Sequence, residues 1–83
     1  MKLPEKQMEV LSLMNQGWEL GQSFDGRAWL QRDGLGRGGD TKDVHGNTFS
    51  SLYNKELVKI EKQGFPTSRY TLTNLAKQIL EQG

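Results

Sequence analysis

Near the beginning of the chain, the spacing of the apolar residues changes from that of a helix to the alternation typical of β-strands. The residues at helical spacing are Met8, Val10, Leu11 and Met14. Pro4 suits the first position of this helix, and Gly17 suits its end. From 18 to 31, apolar residues alternate with polar or small ones on both sides of Asp25-Gly26, a pair that favours tight turns. The pattern therefore predicts a helix followed by a β-hairpin.

The second half repeats this order. A helix over 48–55, capped by Asn47 or Thr48, is predicted because its apolar residues fall on one face. These residues are Phe49, Leu52, Tyr53 and Leu57. Alternating residues then predict a second hairpin around a tip at 63–68. Thr73 is a suitable cap for a closing helix over 74–82.

Between the two halves, residues 32–47 are rich in glycine and charge and predict a loop. Asp40 suits the cap of one helical turn over 41–44. The glycines at 34, 36 and 39 have the G-x-G-x-x-G spacing of dinucleotide-binding loops. Such a loop follows a parallel strand and opens directly into a long helix, and the pattern predicts neither. Nucleotide binding is therefore not expected.

Length and composition limit the class of protein. The 83 residues suffice for one domain, which we predict to be α+β and to span 1–83. Without cysteine there is no disulfide or thiolate site, and His45 is the single histidine, so we expect no metal and no cofactor. Capping and turn roles explain Asp43, His45 and Ser50 better than a catalytic triad does. No long apolar run predicts a membrane span. We expect a cytoplasmic protein that is not an enzyme.

Charge is unevenly distributed, although the formal net charge is only +1. Residues 1–26 carry a net charge of −2, with two basic and four acidic side chains. Residues 27–77 carry nine basic and five acidic side chains, a net charge of +4. An excess of this size suits a polyanionic partner, and it is equally typical of ordinary solvated surface. Both interpretations stay open.

Residues 47–80 resemble the second half of a winged helix-turn-helix domain. The resemblance rests on a helix ending in "LYNKELV", a strand, a tip, the return strand "RYTLT" and a further helix. MarR-like and PadR-like bacterial and phage regulators have this arrangement. The resemblance implies a winged-helix fold of three main helices, with a recognition helix at 48–55, a wing at 59–72 and an additional N-terminal-half hairpin. The implied function is binding of double-stranded DNA by a small transcriptional regulator.

The resemblance also implies a DNA-binding site. The residues that would face the major groove are Thr48, Ser50, Ser51, Asn54 and Lys55. Their hydroxyl, amide and ammonium groups suit phosphates and base edges. Lys62 and Arg69 would contact neighbouring phosphates from the wing. Because one charge on the helix is too little for useful affinity, Arg32, Arg37 and Lys42 of the glycine-rich loop would add phosphate contacts.

Two positions differ from the family pattern. Glu56 stands where such domains usually have glycine. Either Glu56 adopts a positive φ, or the helix ends differently. The first helix of the helix-turn-helix pair is reduced to the single turn predicted at 41–44.

A protein-interaction module, encoded by a phage or mobile element, is the alternative, because a fold alone does not establish a function. Its surface would consist of the hairpin aromatic residues Trp18, Phe24, Trp29 and Phe65. We interpret the tryptophans first as cover for the core and second as a base-stacking platform. The other aromatic residues interpreted as core are Phe49, Tyr53 and Tyr70. A homodimer would use the helix at 74–82.

Overall fold

Three helices and five strands make up the part of the chain that the computed structural model describes, residues 3–33 and 39–82. In chain order they are α1 (Glu5–Asn15), β1 (Glu19–Ser23), β2 (Ala28–Gln31), β3 (Thr41–Val44), α2 (Gly46–Asn54), β4 (Val58–Lys62), β5 (Thr67–Leu72) and α3 (Asn74–Gln82). The class is α+β, as predicted. None of the helices in these described residues has the length and apolar character needed to cross a bilayer.

The strands form one antiparallel sheet in the order β3-β2-β1-β5-β4. Each predicted hairpin contributes a neighbouring pair of strands, and the pairing of β1 with β5 joins the two hairpins. β1 consequently lies at the centre of the sheet, while β3 and β4 form its edges.

The strand register assigns every side chain to one of two faces, because successive residues of a strand point to opposite sides. Leu20 pairs with Leu30 and Tyr70, and the same row extends to Lys42 on β3 and Ile60 on β4. We call this side, against which the helices pack, the core face. The other side is the open face.

A single apolar core draws on every helix and strand of the described chain. Its most enclosed residues are Leu11, Leu20, Leu30, Leu52, Leu57 and Val58. Burial of each such side chain contributes about 1.5–3 kcal/mol. Since both halves of the chain supply these residues, both hairpins depend on the same core.

The predicted first hairpin is confirmed, with a loop of three residues rather than two. The Ser23 N–H donates to the Arg27 carbonyl at 2.8 Å and closes the loop Phe24-Asp25-Gly26. Within this loop only Gly26 has a positive φ, 92°. A left-handed glycine at the end of a three-residue loop is a common hairpin connection.

The second hairpin is also confirmed, and it contains an irregularity. The register passes from Ile60 opposite Tyr70 to Lys62 opposite Arg69, which leaves Glu61 without a residue opposite it. Such a bulge increases the local twist of the strand. β4 is therefore a twisted edge strand.

The prediction of a helical turn at 41–44 is wrong, because these residues form β3. β3 pairs with β2 from Thr41 opposite Gln31 to Val44 opposite Ala28. A single turn would satisfy few backbone groups, whereas the strand satisfies those on one side along its length. In the described residues no helix lies between α1 and α2. The short first helix implied by the resemblance is accordingly absent from 41–44.

α2 begins earlier than predicted, and the structure decides between the two alternatives for Glu56. His45 is its N-cap, with Nδ1 accepting the Asn47 N–H at 3.2 Å, so the caps predicted at 47–48 lie inside the helix. Beyond the C-terminal end, Glu56 has a φ of 61°. This conformation is strained for a residue with a Cβ. The first of the two alternatives for Glu56 is therefore confirmed.

The ends of the other helices are close to those predicted. α1 is followed by Gly17 with a φ of 109°. The Thr73 Oγ1 accepts the Ala76 N–H at 3.2 Å and so caps α3. The same hydroxyl donates to the Glu56 carbonyl at 2.6 Å, which ties the start of α3 to the end of α2.

Candidate nucleic-acid interface

α2 is fixed to the sheet by one face and presents the other to solvent. Phe49 is buried, and its ring meets that of Tyr70 edge-on with the centroids 4.9 Å apart. Tyr70 lies on the core face of β5, so this contact fixes the rotation of the helix about its axis. The exposed side chains, three or four positions apart, are Asn47, Ser50, Tyr53 and Asn54.

Two of the five residues predicted to face the major groove belong to this exposed face. Ser50 and Asn54 are exposed, whereas Thr48 and Ser51 are half-buried. The sequence pattern placed Thr48, Ser51 and Asn54 opposite the apolar stripe, with Ser50 at the edge of that face, but α1 also packs against α2.

Lys55 points toward α1. It follows the last residue of α2, and its Nζ donates to the Oε1 of Gln7 at 2.9 Å. Gln7 is buried on α1, so the hydrogen bond holds the ammonium group against that helix. The side chain with the single positive charge expected on the recognition helix therefore serves a contact between two helices.

Arg69 is held by two carboxylates on the open face. Its Nη1 donates to Glu19 Oε1 at 2.9 Å, and its Nε lies 3.6 Å from Glu61 Oε1. The hydrogen bond that Arg69 donates to Glu19, together with the charges of both carboxylates, raises the pKa of Arg69. Lys62, opposite Arg69 in the register, is exposed. Of the two residues predicted for the wing, Lys62 is the more accessible cation.

The basic residues predicted to act together do not share one face. Lys42 lies in the core-face row at the β3 edge, where its Nζ contacts Glu9 Oε1 at 2.8 Å. Arg69 lies on the open face, and Lys55 is directed to α1. Arg37 lies outside the described residues, as do the motif glycines at 34 and 36.

The two tryptophans have different positions. Trp18 is partly buried against the apolar core, which confirms it as core cover. Trp29 is half-buried on the open face, opposite Gly21 in the register. Its indole N–H donates to the Oε1 of Gln31 at 3.4 Å. The prediction that Trp29 covers the core is therefore wrong.

Tyr53 was expected in the core and is half-exposed. Its ring stacks on Phe49, with centroids 6.5 Å apart, and meets Tyr70 edge-on at 6.2 Å. The helix lies near the β4 edge, so nothing covers the outer side of this ring in the described structure, and 50% of the residue stays accessible. The aromatic cluster thus extends from the core to the exposed face of α2.

Two exposed phenylalanines meet at the tips of the two hairpins. Phe24 of the first hairpin and Phe65 of the second are 73% and 83% exposed, and their ring centroids are 5.3 Å apart. The Phe24 N–H donates to the Pro66 carbonyl at 2.8 Å. Both residues belong to the aromatic surface predicted from the sequence, but their contact was not predicted, since it follows from the pairing of β1 with β5.

A groove of about 590 Å³ lies beside the β4 edge, between the end of α2 and the start of α3. Its apolar lining consists of Tyr53, Val58, Ile60 and Leu75. Within 3–33 and 39–82, no three histidine, aspartate or glutamate side chains are grouped so as to hold a metal ion. His45, which could have belonged to a catalytic triad, accepts a backbone N–H as a cap.

Comparison of the chain with protein-family models, with curated proteins and with solved structures found no match.

Proposed function

We propose that this chain binds double-stranded DNA as a small winged-helix regulator, with α2 in the major groove and the β4–β5 hairpin as the wing. The pairing of β1 with β5, beside the β4–β5 hairpin, supports this arrangement. The β2–β3 segment then lies between β1 and α2 as an extension of the sheet.

The observation that carries the proposal is the exposed polar face of a helix whose opposite face is fixed. Asn47, Ser50 and Asn54 are uncharged hydrogen-bonding residues on that face. Asparagine can pair with both the N6 and N7 groups of adenine, and serine reaches phosphates or base edges. Because Phe49 fixes the helix, the backbone that carries these side chains is positioned before binding.

In this proposal, the wing supplies the contacts to phosphates. Lys59 and Lys62 are exposed on β4, and Lys59 pairs with Thr71 in the register of the open face. For duplex DNA, each neutralised phosphate makes the slope of log affinity against log salt concentration more negative by about 0.9. Because α2 and the wing present few free cations, we expect DNA binding to depend weakly on salt. Base contacts should then supply a large share of the specificity.

The test is titration of a random duplex pool at about 50 and about 200 mM salt, followed by selection of the bound sequences. The expected result is binding that weakens with salt and a recovered sequence preference. Lys62→Ala should reduce the steepness of the salt dependence by roughly 1, whatever the DNA sequence. Asn54→Ala should relax the sequence preference and leave the salt dependence unchanged.

Lys77→Ala on α3 is the matched control, because it removes an exposed lysine outside the proposed interface. It should leave both affinity and slope unchanged. The absence of duplex binding at the lower salt concentration, with the protein folded, would overturn the proposed function.

A protein-interaction module is the second candidate, and the apolar groove beside β4 favours it. Tyr53, Ile60 and Leu75 are all exposed there. Copurification of one stoichiometric partner without nucleic acid, abolished by Leu75→Ser and unaffected by Lys62→Ala, would favour this candidate over DNA binding.

A further inference from the structure

The contact between Phe24 and Phe65 is formed by two loops that hold their rings outward. These rings belong to hairpin tips about forty residues apart in the chain, and they touch at a centroid distance of 5.3 Å. Most of each residue remains exposed, although apolar rings gain free energy when they leave water. An exposed apolar pair of this kind is typical of a binding surface.

Backbone and side-chain hydrogen bonds fix both loops. The Phe24 N–H donates to the Pro66 carbonyl at 2.8 Å, which links one tip to the other. In the second tip, the Ser68 hydroxyl donates to the Gly64 carbonyl at 3.3 Å. A Cβ at Gly64 would lie 2.8 Å from the Thr67 carbonyl oxygen, so this loop is closely packed. The rings are therefore positioned before any partner binds.

The size of the pair indicates what kind of partner fits it. A phenylalanine ring buries at most about 150–250 Å². Two such rings offer far less than the roughly 800 Å² per partner that a stable protein interface buries. A narrow apolar slot suits them better, and the gap between two stacked base pairs is one, since inserted phenylalanines are known to open such steps.

The position of the tips agrees with a duplex as the partner, and the charged residues at or next to them carry a net charge of +1, from Arg27 and Lys62 against Asp25. Val44, the last residue of β3, lies in the same row of the sheet as Ala28, Gln22 and Ser68. This row is next to both hairpin tips. α2, which follows β3, therefore starts at the end of the sheet where both tips lie. The Asp25 carboxylate beside the rings accepts hydrogen bonds from within its own turn. The exposed cations nearest to the tips along the chain are Arg27 and Lys62.

The geometry points to an apolar wedge: Phe24 and Phe65 together insert between two base pairs from the minor groove of the duplex that α2 contacts. This inference rests on the proposed DNA binding. Insertion separates the two base pairs and bends the duplex toward the major groove by roughly 20–90°.

The experiment uses the full chain and a duplex recovered from the random pool. Donor and acceptor dyes at its two ends report bending, and 2-aminopurine placed in turn along the site reports loss of stacking. Wild type should bend the duplex and brighten 2-aminopurine at one step. The double variant Phe24→Ser/Phe65→Ser should lose both signals and weaken binding on the order of tenfold or more.

The double variant Phe24→Leu/Phe65→Leu is the matched control, because leucine also acts as an apolar wedge. It should retain bending and the 2-aminopurine signal. Circular dichroism and urea unfolding should show both variants folded, since the replaced side chains are mostly exposed.

Duplex binding by wild type without bending or a 2-aminopurine signal would overturn the wedge and leave the proposed function standing. Serine variants that bend the duplex like wild type would overturn it as well. If the serine variants lose binding to vesicles of anionic lipid but keep every DNA signal, the tip is a membrane contact and the wedge is wrong. Absence of any duplex binding by wild type overturns the proposed function and the wedge together.

Discussion

The two hairpins have similar alternating sequences but different degrees of burial. In the row of the core face, Leu30 and Leu20 of the first hairpin are fully buried, at 0% exposure. In the same row, Ile60 of the second hairpin is 43% exposed. The first hairpin has a neighbour on both sides in the sheet, whereas β4 is an edge strand that the helices only partly cover. Position in the sheet, rather than hydrophobicity, therefore decides what a residue contributes to stability.

The largest effect expected from this comparison is on the free energy of unfolding. Leu30→Ala should lower it by about 2–5 kcal/mol, because the enclosed site cannot fully collapse around the smaller side chain. Ile60→Ala should lower it by less than about 1 kcal/mol, as for other exposed positions. Urea unfolding followed by circular dichroism measures both. Equal losses at the two sites would contradict the role assigned to sheet position.

The glycines of the two hairpin loops should give intermediate effects for different reasons. Gly26→Ala forces a Cβ into a φ of 92°, and Gly64→Ala brings a Cβ to within 2.8 Å of the Thr67 carbonyl oxygen. Each should lower the free energy of unfolding by about 1 kcal/mol.

Asparagine separates the two causes. It tolerates positive φ better than alanine, so Gly26→Asn should be less destabilising than Gly26→Ala. Gly64→Asn should be no better than Gly64→Ala, because its Cβ meets the same oxygen. Thermal unfolding of the four variants provides the comparison, and rescue by asparagine at both positions would refute the distinction.

The smallest effect concerns the pH dependence of the first hairpin. A hydrogen bond from the Ser23 hydroxyl, and then one from the Arg27 N–H, lower the pKa of Asp25 in the folded protein. A carboxyl group whose pKa is lower when folded stabilises the fold above its unfolded pKa, and this stabilisation is lost as pH falls through the folded pKa. The second hairpin tip has no carboxyl group at 63–68.

Comparison of wild type with Asp25→Asn measures this effect. Asparagine does not titrate, so the difference between their free energies of unfolding should shrink as the pH falls from neutral into the acid range. Because Asp25 is exposed, the change should be small. A difference that stays constant with pH would show that the turn does not depend on the ionised carboxylate.

Local patterns were sufficient for most elements of the fold. The periods of the helices, the turn at Asp25-Gly26 and the cap at Thr73 all depend on residues a few positions apart, and the structure agrees with each. At Glu56 the sequence left two alternatives open, a positive φ or a different helix end, and the structure decides for the positive φ. β3 was not predicted, because its hydrogen bonds to β2 outweigh the local preference for a capped helical turn.

The site was predictable only in part. The sequence identified a helix with an apolar face and a polar face, and it correctly placed Ser50 and Asn54 on the exposed side. It could not show that Lys55 would turn to Gln7 or Arg69 to Glu19, because these partners are 48 and 50 positions away. The charges that looked available to a polyanion are therefore partly used within the fold.

The sequence by itself determined three helices, two hairpins and one α+β class, because periodicity, turns and caps are set by hydrogen bonds and burial over a few neighbouring residues. Tertiary structure alone decided that β1 pairs with β5 and that Phe24 meets Phe65. It also decided that Lys42 and Arg69 lie on opposite faces. These outcomes depend on which distant strands pair and in which register, and a shift of one residue would move every side chain of a strand to the other face.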